Sequence, residues 1–125
     1  MDINIPEVVA EVTEAALAYD HALVVNDLDT VDSLFWISPL TLRYGPNGTL
    51  IGHAAISAYR RSRKAQGADR TLRPPLVTTF GTDFAVTNTE SDRAGTITRQ
   101  SQTWARMPEG WRIVSAHVSD GPRRS

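Results

Sequence analysis

The chain has 125 residues, 41% hydrophobic and 22% charged, with a formal net charge of -1. That is the size of one ordinary domain with enough apolar content for a core, so two domains and intrinsic disorder are both excluded. The near-neutral balance excludes a general nucleic-acid binder and a polybasic membrane-surface protein, and the lack of cysteine excludes disulfides and thiolate chemistry.

Met1 to Pro6 lacks the basic start and apolar run of a signal peptide, and no stretch reaches the ~18 apolar residues of a membrane span, so a cytoplasmic protein is expected. Asn4, Pro6 and Glu7 read as an N-cap, an early-turn proline and a capping-box acid. Val8, Val12, Ala15, Ala16, Tyr19 and Leu23 then recur at steps of three and four, the apolar stripe of a helix. Asn26 and Asp27 break it. Asp29 is expected to cap a short second helix through Leu34 and Phe35, stopped by Pro39. Pro39 to Tyr44 alternates as a strand, with Leu40, Leu42 and Tyr44 on one face and Thr41 and Arg43 on the other. Pro46, Asn47 and Gly48 form a turn, after which Thr49 to Ile51 pairs back. A third helix is expected from about Gly52 to Gln66, ending at Gly67 with Arg60, Arg61, Arg63 and Lys64 in its last turns.

From Pro75 onward the chain reads as strands: Leu76 to Phe80, Phe84 to Thr89, Thr96 to Arg106 and Trp111 to Ser119. Helices first and an antiparallel meander last is an α+β pattern. One domain is expected over 1–125, with its core from about 5 to 119 and a loose C-terminal tail. A regular hairpin closed by Met107 to Gly110 sets Trp104 opposite Ile113, Gln102 opposite Ser115 and Gln100 opposite His117. All six side chains then share one face, apolar near the turn and polar farther away, while a bulge would change these partners. Such a gradient suits either a pocket with a core floor and polar walls or a solvated sheet face.

The segments RQSQTWARMPEG and GWRIVSAHVS resemble the ending of SnoaL-like, or nuclear-transport-factor-2-like, proteins. FWISPLTLRYGPNGTLIGHAAISAYRRSR and VTTFGTDFAVTNTE are similar to the AtzH-like group, which includes the HpxZ proteins of oxalurate catabolism. The resemblance runs from about Ile5 to Ser119. It implies a cone of three helices wrapped by a curved antiparallel sheet, a pocket at the open end and a homodimer through the outer sheet face. It also implies metabolism of small carboxylated ureas in cyanuric acid or oxalurate breakdown. The activity of AtzH is a cofactor-free decarboxylating amidohydrolysis of 1,3-dicarboxyurea to allophanate.

Arg43 is the first candidate. Its planar fork matches a carboxylate, though an exposed strand arginine fits the residues as well. The resemblance turns the arginine of LRYG into the pocket. Tyr19 lies on the buried stripe, so its hydroxyl either bonds to backbone or, beside Arg43, orients a substrate or gives a proton to a leaving nitrogen. The AtzH-like pattern places a tyrosine there. His117 is either a base or donor facing the pocket or a satisfied, partly buried histidine. Gln100 and Gln102 suit the carbonyl and N–H groups of a urea, and Thr79 is a candidate for the same wall. The Arg60 to Lys64 run is a solvated helix end, from which Arg60 or Arg63 could overhang the mouth and steer anions. Asp83 and Glu90 are acids without a catalytic layout, and His21, His53 and His117 lack metal-like spacing. The leading reading is therefore an enzyme acting on a small anionic urea. Its rival is a non-catalytic binding or accessory protein of the same pathway. An isomerase or cyclase for an apolar substrate fits a polar pocket poorly.

Overall fold

The computed structural model describes residues 1–63 and 70–122. Pro6 opens helix α1 (Pro6–Val24), where a missing N–H costs nothing. The cap residue is Ile5, with no side-chain cap. Asn4 does other work: at φ 58° its amide donates to the Thr79 carbonyl (3.1 Å), and its Oδ1 accepts from the Thr79 amide (2.9 Å). The expected cap is thus a clip that ties the N-terminus to the sheet. The apolar stripe holds, with Val8, Val12, Ala16 and Tyr19 buried. Helix α2 (Leu28–Leu34) is capped by Asp27 rather than Asp29, the Asp27 carboxylate accepting from the Thr30 amide at 3.2 Å. Helix α3 (His53–Arg61) ends earlier than expected, at Ser62. Lys64, Gln66 and Gly67 lie outside the described residues.

The strands are β1 (Leu42–Gly45), β2 (Gly48–Ile51), β3 (Thr71–Leu72), β4 (Leu76–Phe80), β5 (Phe84–Arg93), β6 (Thr96–Met107) and β7 (Gly110–Pro122). They form one curved, open sheet in the order β2-β1-β7-β6-β5-β3, with β4 also on β5. The sheet is mixed rather than wholly antiparallel, because β1 runs parallel to β7. The tail expected to be loose is paired as far as Pro122, opposite Thr96. The two-residue strand β3 has no counterpart in the sequence reading. Three helices against a bent sheet otherwise give the expected α+β cone. No helix among the described residues is long and apolar enough to cross a membrane.

The β6–β7 ladder departs from a regular hairpin. Trp104 faces Ile113 as expected, but the register shifts between Thr103 and Trp104, so Thr103 faces Ser115 and Gln100 faces Val118. The extra residue is Val114. A one-residue slip moves every later side chain to the other face. Ala116 and Val118 therefore point inward, and Ser115 and His117 point outward.

The inner face has two halves. At the turn end Trp104, Ile113, Ala85 and Phe35 join α1 in the core. One polar chain is sealed within it: Trp104 Nε1 donates to Thr87 Oγ1 (2.9 Å), which donates to Gln102 Oε1 (3.2 Å). Thr87→Val orphans both partners at once. Each buried unsatisfied group costs about 1–3 kcal/mol, so a loss of about 2–6 kcal/mol is expected, read as a lower urea midpoint at unchanged m-value.

Candidate functional site

Beyond Gln102 the inner face opens into a cavity of about 380 Å³. β1 delivers its first wall. The strand begins at Leu42 rather than Pro39; its alternation sends Arg43 inward and leaves Tyr44 exposed, and Thr41 is buried just ahead of it. Arg43 is only 8% exposed, with its guanidinium carbon 5.3 Å from the centroid of the Tyr59 ring. Helix α3 supplies Tyr59 and Arg60, β6 supplies Thr96, Thr98 and Gln100, and Arg70 precedes β3.

The charge of this cavity is far from that of the whole chain. Among the described residues, five arginines line it (Arg43, Arg60, Arg63, Arg70 and Arg93) against one carboxylate, Asp120. Arg43, Arg60 and Arg70 form no ion pair among the described residues. Burial, then repulsion from Arg60, lowers the pKa of Arg43, and burial likewise lowers that of Arg70. A guanidinium remains charged regardless, so each is a desolvated cation without a counter-ion. Burial raises the Tyr59 phenol, but the Asn47 hydrogen bond and the Arg63 and Arg43 cations bring it below its usual value.

Tyr19 is 1% exposed, with its ring edge-on to Phe35 at 6.0 Å. It does not line the cavity itself. Its hydroxyl accepts a hydrogen bond from Arg60 Nη2 at 3.3 Å and lies within electrostatic reach of Arg43 and Arg70. Tyr19 and Arg43, from opposite ends of the sequence reading, thus meet around Arg60. The Arg60 Nε is buried without a hydrogen-bond partner.

The remaining sequence-predicted residues separate. Gln100 lines the cavity. Gln102 lies one step deeper, tied to Thr87 with its Nε2 unpartnered. Thr79 is outside the site: it pairs with Ala85, which faces Trp104, so it belongs to the core end. His117 is on the outer surface, edge-on to Tyr44 at 5.6 Å, because the bulge reverses its direction. Arg60 and Arg63 do line the cavity, as the reading of an overhanging helix end allowed.

Sequence reasoning missed Tyr59, Arg70, Arg93, Thr96, Thr98 and Asp120 of the main cavity, and Asp20 beside it. Arg70 sits in a stretch with no periodic pattern. Asp20 is 7% exposed in a small side chamber that shares Leu23, Arg70, Thr98 and Gln100 with the main cavity. Its signal was in the sequence: Ala16, Asp20 and Leu23 are spaced by four and three, which places Asp20 on the buried stripe. Among the described residues no cluster of three or more His, Cys, Asp or Glu is placed to hold a metal ion.

The comparisons agree with this architecture. The AtzH-like family model matches residues 1–122. A cystatin-like fold protein from Burkholderia xenovorans is 43% identical over 99% of both chains, with a TM-score of 0.93. A protein of unknown function from Pectobacterium atrosepticum is 48% identical over 96% of this chain and 95% of its own, with a TM-score of 0.90. A nuclear transport factor 2-like superfamily protein from Salmonella enterica is 29% identical over 95% and 94%, with a TM-score of 0.70. No curated protein matches the sequence significantly.

Gly45 matters to this geometry through space alone. It has no positive φ, yet a Cβ there would stand 2.6 Å from Arg43 Nη1. The obstructed atom ends a flexible side chain, so Gly45→Ala should fold normally and displace the guanidinium. Calorimetric titration with malonate should show binding weakened about tenfold or more, the loss of roughly one charged hydrogen bond. Unchanged affinity would remove Arg43 from the anion site.

Proposed function

The chain belongs to the AtzH-like family, and we propose that it is a cofactor-free enzyme of carboxylated-urea metabolism, removing a carboxylate from a substrate such as 1,3-dicarboxyurea to leave allophanate. One observation carries the reading: Arg43 is buried in an arginine-lined cavity and, among the described residues, is paired with no carboxylate. A desolvated cation without a counter-ion is a site prepared for an anionic ligand. The volume suits a small molecule, and the five guanidiniums disfavour an apolar one.

In this reading Arg43 holds a substrate carboxylate through its fork. Tyr19 acts from behind the wall, its hydroxyl holding the Arg60 guanidinium in place to orient the substrate, and Gln100 offers an amide to the urea carbonyl or N–H. Positioning of this kind lowers the barrier without a covalent intermediate. Loss of carbon dioxide from a nitrogen-bound carboxylate returns the bonding pair to nitrogen, which then takes up one proton.

Arg43→Ala should reduce carbon dioxide release from 1,3-dicarboxyurea by about 10²–10³, the usual effect of removing one preorganised charge contact. Full turnover by the variant would sink the assignment. A wild type that binds the compound without releasing carbon dioxide would instead make the protein a binding or accessory member of the pathway.

We further propose a homodimer through the outer sheet face. Leu76 (72% exposed), Phe84 (55%), Tyr44 (46%) and Phe80 (37%) all point outward there, and exposed apolar groups on one face favour association. Light scattering should give twice the chain mass at micromolar concentration, and Phe84→Glu should halve it. A monomeric wild type overturns the dimer.

A further inference from the structure

Asp20 is a carboxylate held out of water with nothing at contact distance to neutralise it. Among the described residues it makes no hydrogen bond and no ion pair. The usual structural roles of a buried aspartate do not apply. It caps no helix, and it lies in the last turns of α1 (Pro6–Val24), toward the negative end of the dipole, where a carboxylate is disfavoured. Burial raises its pKa to about 6, with the Arg70 cation pulling weakly the other way. The groups facing it are Arg70 ahead of β3, Leu72 of β3, Thr89 and Ser91 of β5, and Thr98 and Gln100 of β6, so Arg70 is the one charge opposite. The chamber measures about 10 Å³, close to the space of one water. It shares Leu23, Arg70, Thr98 and Gln100 with the lining of the arginine cavity, so Asp20 lies beside that cavity.

The reaction proposed above consumes a proton. Arginines do not give one up. Tyr19 and Tyr59 keep their phenolic protons while accepting from Arg60 and from Asn47 and Arg63, but a phenol is intrinsically a far weaker acid than a carboxyl group. Asp120 is exposed and accepts from the Thr98 hydroxyl at 2.7 Å. We propose that Asp20, protonated in its side chamber, is the acid that delivers this proton to the departing nitrogen, leaving Tyr19 the orienting role. The step balances: the bond between the ureido nitrogen and the carboxylate carbon breaks, its electron pair stays on nitrogen, carbon dioxide leaves, and the Asp20 proton moves to nitrogen. The resulting carboxylate is reloaded from solvent. This role rests on the carboxyurea reading.

The test is the pH profile of kcat and KM for 1,3-dicarboxyurea, corrected for uncatalysed loss, in wild type and Asp20→Asn, with thermal unfolding of both. Wild-type kcat should fall as pH rises through about 6, where the acid empties. Asp20→Asn should lose about 10²-fold or more in kcat, keep KM, and lose the limb near pH 6. The stability sign is separate. An acid whose folded pKa is raised from 3.8 to about 6 stabilises the fold at low pH, and that contribution is lost as pH rises through about 6. The variant should therefore match wild type at pH 4 and unfold at an equal or higher temperature at pH 7.5. Asp20→Glu, which keeps an acid but moves it, should retain a titrating limb at lower kcat. An Asp20→Asn enzyme with near-wild-type kcat and an intact limb overturns this role alone. A less stable variant with its limb intact assigns Asp20 to structure and overturns it too. A wild type that releases no carbon dioxide overturns the carboxyurea reading and this role with it.

Discussion

Among the described residues three guanidinium groups, that of buried Arg43 and those of half-buried Arg60 and Arg70, line the cavity without an ion pair to a carboxylate. Folding opposes this arrangement, since each buried cation loses hydration that nothing in the chain fully replaces. The rest of the molecule has to hold it. β1 is locked between β2 and β7, so Arg43 cannot swing outward without flipping Tyr44 inward. Helix α3 brings Arg60 onto Tyr19, which the core fixes through Phe35. The long β5, β6 and β7 ladders make the frame rigid enough that the cations do not relax by moving apart.

The same frame explains why the inner sheet face changes character along its length. Near the β6–β7 turn, helix α1 lies against the sheet and the inward positions are largely apolar, with the Trp104–Thr87–Gln102 chain linking the polar groups among them. Farther along, the inward positions continue as Gln100, Thr98 and Thr96 and line the cavity. β6 thus carries core and site on one face at period two. The bulge at Val114 puts Ala116 and Val118 on that face, where a regular ladder would have put Ser115 and His117.

That bulge also shows what the sequence could disclose. Helix α1, the turn at Pro46 and Asn47, and the start of each of the last four strands were legible to within a residue, because periodicity and turn chemistry act locally. The alternation of Arg43 against Leu42 and Tyr44 was legible too. It did not reveal which face is inside; the family resemblance did. His117 failed because one extra residue in a strand leaves no compositional mark and reverses everything beyond it. Asn4 failed as a cap because a tertiary contact with Thr79 outweighs local preference. Asp20 was legible in its spacing, but an acid on an apolar stripe reads as an interruption until its surroundings are known. Thr79 shares the inward face of its strand, and only the pairing with Ala85 shows that it belongs to the core end.

The cation cluster and Asp20 answer complementary chemical demands. Arginines that never lose their proton can bind and neutralise a carboxylate at any working pH, but for that reason they cannot take part in proton transfer. A site built of them alone would hold a nitrogen-bound carboxylate and stabilise the reactant. Catalysis requires an interaction that strengthens as the bond breaks, when the electron pair arrives on nitrogen. In the proposed mechanism a carboxylic acid whose pKa burial raises to about 6 supplies that interaction, and it keeps that raised pKa only if it is kept from close contact with the same cations. The separation of the side chamber from the main cavity provides this. Arg70, shared between them, lowers the Asp20 pKa less than burial raises it. One wall thus divides a permanently charged binding site from a proton that has to remain free to move.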